Sequence, residues 1–147
     1  MLRIRKIAEP DKERVKEFFK SLGNEATLFF NANRRNERQL NKFFSGKTEY
    51  FIPFMAEYNG EMAGLMFLYR FNRSIPHLGI CVKDEYQGKG IGKKLMAYAD
   101  KYAREHQKGG ILLTTHIANI KAQHLYLKSG YEQIGTDNHE IIFLLSF

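Results

Sequence analysis

Apolar residues recur along the chain in two periods, and the switches between them mark its elements. Leu2–Ile7 alternates apolar and basic positions, as a half-buried strand does. Pro10 stands where a first helical position falls. Asp11–Leu22 then sets Val15, Phe18, Phe19 and Leu22 on one helical face, and Gly23-Asn24 stops it. A shorter helix is predicted from about Arg34 to Phe44, with Asn33 as its N-cap and Leu40, Phe43 and Phe44 as its apolar side. Phe51–Tyr58 and Glu61–Phe71 read as strands around Asn59-Gly60, a strong hairpin signal. Asn72-Arg73-Ser74 turns the chain into a further strand, Pro76–Val82.

From Gly90 the period is helical again, with Ile91, Leu95, Tyr98, Ala99, Tyr102 and Ala103 on one side. Gly109-Gly110 ends this helix and Ile111–His116 reads as a short buried strand. Asn119 caps a helix running to Ser129, closed by Gly130, and two strands follow, about Tyr131–Gly135 and Glu140–Ser146. The predicted order is β-α-α-β-β-β-α-β-α-β-β. An antiparallel first half and a crossover second half imply an α/β fold, with a central mixed sheet flanked by helices on both faces. No repeat or linker interrupts residues 1–147, which are expected to form a single domain.

Composition narrows the class of protein. The hydrophobic share of 44% against 27% charged residues is a globular balance. A single cysteine, Cys81, excludes an internal disulfide framework and fits a reducing compartment, so a cytoplasmic location is expected. The apolar runs fall short of the ~20 residues that span a bilayer, and the opening residues show no signal-peptide core, so no membrane association is expected. Lys and Arg number 23 against 16 acids, a net charge of +7. Such a chain attracts polyanions: nucleic acid, anionic membrane or a phosphorylated cofactor. Nucleic acid is not expected, because neither a basic-aromatic RNP pattern nor a helix-turn-helix signature is present. The excess is uneven. Arg34, Arg35, Arg38, Lys42 and Lys47 face only Glu37 in their stretch.

The most specific local feature is Val82-Lys83-Asp84-Glu85-Tyr86-Gln87-Gly88-Lys89-Gly90-Ile91-Gly92-Lys93-Lys94. A strand ends, and three alternating glycines open a helix. The first N–H groups of a helix lack internal partners and sit at the positive end of its dipole. A strand, a glycine loop and a helix N-terminus together form a phosphate cradle. Lys89, Lys93 and Lys94 add charge there. The P-loop pattern fails, because Lys94 stands where Ser or Thr is needed. The dinucleotide fingerprint fails too, because the spacing is G-x-G-x-G rather than G-x-G-x-x-G.

Gln87-Gly88-Lys89-Gly90-Ile91-Gly92 resembles the Q/R-x-x-G-x-G/A signature of the GNAT superfamily, the acyl-coenzyme A-dependent N-acetyltransferases. Asn119-Ile120-Lys121-Ala122-Gln123-His124-Leu125-Tyr126-Leu127-Lys128-Ser129-Gly130-Tyr131 is similar to that family's N-x-x-A-x-x-[LF]-Y-x-x-x-G-[FY] segment. The resemblance implies transfer of an acetyl group from acetyl-CoA to a primary amine by direct attack in a ternary complex, without a metal. It implies that backbone of Ile80, Cys81 and Val82 binds the pantetheine arm. It places the pyrophosphate on the N–H groups of Gln87, Gly88, Lys89, Gly90, Ile91, Gly92 and Lys93. Asn119 is implied as a second cofactor contact and Tyr126 as the general acid that protonates the leaving thiolate.

A primary alkyl amine has a pKa of ~10.4 and arrives protonated, so a base is also needed. No glutamate stands on the fourth or fifth strand, where some members of the family carry one. Glu57, His77, His116 or a water chain are the candidates. Cys81 is read as a small buried hydrophobe rather than an acyl acceptor. Phe29, Phe30, Asn31, Asn33 and Arg34 are expected to wall the acceptor site. Without a base, the alternative is a non-catalytic CoA-binding or sensor domain. The two terminal strands offer an edge for a homodimer.

Overall fold

A computed structural model describes residues Met1–Phe147. The chain forms β1 (Leu2–Lys6), α1 (Lys12–Lys20), α2 (Asn24–Phe30), α3 (Arg35–Phe44), β2 (Ile52–Tyr58), β3 (Glu61–Tyr69), β4 (His77–Val82), α4 (Ile91–Glu105), β5 (Gly110–His116), α5 (Ile120–Lys128), β6 (Glu132–Asp137) and β7 (Glu140–Ser146). The expected mixed sheet with helices on both faces is present. It has seven strands in the order β1-β2-β3-β4-β5-β7-β6. All neighbours are antiparallel except β4 and β5. No helix is long and apolar enough to cross a membrane.

Strands β2 and β3 read as nearly continuous apolar runs because both their faces are covered. Alternation sorts the side chains. Phe54, Ala56, Met66 and Leu68 pack toward α4 with Leu95, Met96 and Ala99. Met55, Leu65 and Phe67 point the other way, onto Val15, Phe18 and Leu40 of α1 and α3. Leu78 on β4 joins the first core and Cys81 the second.

Two sequence expectations are corrected here. The segment read as a plain connection after Gly23 contains α2, a helix of 7 residues that buries none of them. Asn33 does not cap α3. Asn33 and Arg34 both take left-handed backbone (φ 56 and 57). The capping bond comes from Asn31, whose Oδ1 accepts the Glu37 N–H at 2.9 Å.

An ion cluster ties β1, β2 and α1 together. The Arg5 guanidinium donates to both carboxylate oxygens of Asp11 (2.9 and 2.8 Å) and to Glu57 (3.0 Å). Arg14 donates to the other Glu57 oxygen at 2.8 Å. These arginine bonds hold both carboxyls below their ordinary values of 3.8 and 4.5, against the opposing effect of burial. A carboxyl with a depressed folded-state pKa adds stability that is complete above its unfolded value. That stability is lost as pH falls through the folded value. Stability in urea is therefore expected to decline as pH drops from about 5 to about 3. Glu57→Gln is expected to cost about 1–3 kcal/mol at neutral pH and to flatten that decline. An unchanged slope in the variant would remove Glu57 from the acid response.

Candidate active site

The parallel contact between β4 and β5 is a single register pair, His77 with Leu112, beside a bond from Leu112 N–H to Pro76 O at 3.0 Å. Beyond it the strands part, β5 staying with β7 along its whole length and β4 with β3. Lys83 N–H donates to Ala63 O at 2.9 Å. Alternate residues of an antiparallel strand face the same way, so Cys81 also bonds toward β3. The N–H and C=O groups of Ile80 and Val82 therefore point into the gap. Gln87 Nε2 reaches the Val82 carbonyl there at 3.2 Å.

A cleft of about 330 Å³ runs from this gap along the glycine loop. Gly88 and Gly90 both take φ +78, and a Cβ at either would meet nothing within 4 Å, so the outer face of the loop is open. Gly90 is the N-cap residue of the 15-residue α4. Lys94 N–H is the first to bond back into the helix, at 3.1 Å to Gly90 O. The N–H groups of Ile91, Gly92 and Lys93 thus face the cleft end of a long helix without internal partners. These donors, the open glycines and the Lys93 side chain in the wall suit a diphosphate.

Of the residues expected at a cofactor, Ile80, Cys81, Val82, Gln87, Gly88, Gly90, Ile91, Gly92, Lys93 and Asn119 line this cleft. Lys89 does not; its ammonium lies 5.7 Å from the centre of the Tyr58 ring. Cys81 contributes its side chain to the wall, while its backbone bonds to β3. Asn119 caps α5, accepting the Ala122 N–H at 3.3 Å.

A second cavity, of about 480 Å³, opens on the opposite side of the gap under α2 and α3. The two cavities share Phe29, Phe30, Ile80, Asn119 and Tyr126. Tyr126 is buried, its ring held edge-on by Phe143 at 5.7 Å, and no group of the protein hydrogen-bonds its hydroxyl. Burial, reinforced by Cys81, pushes its phenol above the ordinary value, so it remains a proton donor at neutral pH.

Helix α2 roofs the gap because three contacts fix it. Phe30 stacks on Phe19 at 6.2 Å, and Phe29 meets His116 at 5.3 Å. Gly23, the N-cap of α2, lies so close to Asp84 that a Cβ would sit 2.5 Å from the carboxylate. Phe29 and Phe30 therefore wall the site as expected. Asn31, Asn33 and Arg34 do not line either cavity. Asn31 is spent on α3, and Arg34 pairs with Glu37 at 3.0 Å.

The three base candidates are not brought to the site. Glu57 is occupied by Arg5 and Arg14, and lines neither cavity. His77 stacks edge-on against Tyr69 at 5.1 Å, its imidazole depressed by burial and then by Arg70 and Arg73. His116 comes nearest, but its Nδ1 accepts the Ala118 N–H at 3.0 Å. That bond places the neutral-ring proton on Nε2, which leaves no free lone pair to take a proton. The carboxylate that does line the second cavity is Glu140, at the start of β7 and opposite His116 in register.

A model of the acetyltransferase (GNAT) family matches residues 9–131. A streptothricin acetyltransferase of Escherichia coli is 39% identical over 64 residues, which is 44% of this chain. The match spans 36% of that relative's length. Among solved structures, the GNAT domain of S. lividans PAT has a TM-score of 0.82 at 18% identity, covering 99% of this chain and 90% of that one. PaiA N-acetyltransferase of Thermoplasma acidophilum, solved in complex with coenzyme A, has a TM-score of 0.79 at 21% identity, covering 100% and 99%. Identities this low establish the fold.

Burial and then the Asp84 charge push the Cys81 thiol up to about 12. A thiol held protonated is a poor nucleophile. Iodoacetamide at neutral pH is expected to leave Cys81 of the folded protein unmodified, by mass spectrometry, and to alkylate it in urea. Rapid labelling of the native chain would contradict this.

Proposed function

The chain belongs to the GNAT family of acetyltransferases, and from that premise we propose that it transfers an acetyl group from acetyl-CoA to a primary amine by direct attack. The observation that carries this reading is the meeting of the two cavities at Tyr126 and Ile80. A phosphate-binding loop on one side and a polar chamber on the other converge on one buried phenol.

Acetyl-CoA, when bound, would supply a thioester carbonyl for an uncharged amine to attack; the N–C bond would form, the C–S bond would break, and the departing thiolate would take up a proton. The N–H groups of Gly88, Gly90, Ile91, Gly92 and Lys93 hold the diphosphate. The gap-facing groups of Ile80 and Val82 bind the pantetheine arm as an added strand would. One of these N–H groups, of Ile80 or Val82, would stabilise the charge that the carbonyl oxygen gains. Tyr126, kept protonated by burial, gives its proton toward the departing sulfur and is the general acid. Glu140 takes the proton that the amine must lose, directly or through water. Asn119 fixes the start of α5, and with it the height of Tyr126 over the gap.

Tyr126→Phe keeps the ring packing and removes the proton. It is expected to lower kcat about 10²-fold or more, with the dissociation constant for CoA unchanged by calorimetry. Equal turnover would remove the phenol from the mechanism. CoA binding without transfer to any amine would favour a non-catalytic binding domain.

A further inference from the structure

We propose that the acceptor amine also carries an anionic group, a carboxylate or a phosphate, which Arg35 and Arg70 hold on the wall of the second cavity. The proposal rests on the acyltransferase reading above and names the substrate class of that same site.

The chamber is lined by charges of both signs. Arg35, the first residue of α3, and Arg70, just past the end of β3, both line it. Both guanidiniums act on the same neighbour: the Tyr69 phenol, raised by burial, is pulled back down by each of them. Two cations from separate elements thus converge on one wall. Glu140, Thr114 and Thr115 line the same chamber from β7 and β5, elements other than those that carry the arginines.

Neither arginine is satisfied within the protein. Arg3, Arg5, Arg14, Arg34 and Arg104 each lie within salt-bridge distance of an acid. Arg35 and Arg70 have no acidic partner and no hydrogen-bond acceptor, although Glu37 is two residues from Arg35. Both side chains are exposed and solvated, so they are free to turn toward an anion on the cavity wall. A guanidinium presents a planar fork that fits a carboxylate or phosphate through two parallel bonds. The same pair repels a polyamine. A ligand with an ammonium toward Glu140 and an anion toward Arg35 and Arg70 matches both charges of the lining.

The test uses the full chain and acetyl-CoA in a thiol-release assay with matched acceptors. Amino carboxylates and aminoalkyl phosphates are compared with the corresponding amino amides, amino alcohols and diamines. The anionic acceptors are expected to lead in kcat/KM by about tenfold or more. The better of the two anionic arms identifies the group. Arg35→Gln and Arg70→Gln are each expected to raise KM for the anionic acceptors about tenfold, with kcat little changed, and so to erase the preference.

A second measurement needs no turnover. N-acetylated amino acids and their amides are titrated into the protein and followed by NMR. The acids are expected to bind more tightly, and to lose that advantage in the double variant. Equal treatment of acid and amide in both experiments, or a preference for diamines, overturns the proposal and leaves the acyltransferase reading standing. Tighter, arginine-dependent binding of the acids by a protein that neither binds CoA nor transfers acetyl supports the anion site and overturns the acyltransferase reading.

Discussion

The site depends on the parting of β4 from β5 after one shared register pair. A continuous parallel pairing would close the gap with backbone hydrogen bonds and leave no room for a third extended chain. Instead the sheet is two antiparallel half-sheets, β1–β4 and β5–β7–β6, joined at His77 and Leu112. β5 commits its pairing to β7 from Gly110 to His116, and β4 commits to β3 from His77 to Val82. What remains between them is an unpaired strand edge inside the protein, where Ile80 and Val82 present donors and acceptors.

The two sides of that gap have different chemistry because different helices cover them. On one side, α4 starts at the glycine loop and presents the free N–H groups of its first turn to the cleft. On the other, α2 and α3 leave a chamber lined by Arg35, Arg70, Thr114, Thr115 and Glu140. Tyr126 reaches both from α5. Its ring is wedged against Phe143, and the same low-polarity surroundings raise the phenol above its ordinary value. Cys81 follows the same physics to a different end, a thiol kept inert in the wall.

Much of this was legible in the sequence because it is local. Helical periodicity after Gly90, the Asn59-Gly60 turn and the Asn119 cap are each written within a few residues. The same holds for the glycine loop, whose residues line the cleft with the exception of Lys89. What was not legible depends on residues far apart. Glu57 reads as a free carboxylate until folding brings Arg5 and Arg14, 52 and 43 residues away, onto its two oxygens. Glu140 carries no signal of its own; only the β5–β7 register sets it opposite His116, at the mouth of the chamber. Helix α2 spans two turns without a buried stripe, so its periodicity is invisible, and its contacts with Phe19 and His116 hold it in place. Asn33 resembles a cap by residue type, but the left-handed turn at Asn33 and Arg34 hands that task to Asn31.

A crystal structure of the protein with coenzyme A tests the central claim most directly. The pantetheine arm is predicted to lie along Ile80 and Val82 between the half-sheets, with the diphosphate on the N–H groups that open α4. The sulfur is predicted within hydrogen-bond reach of the Tyr126 hydroxyl. Coenzyme A bound outside the gap, or with its sulfur turned away from α5, would contradict the account.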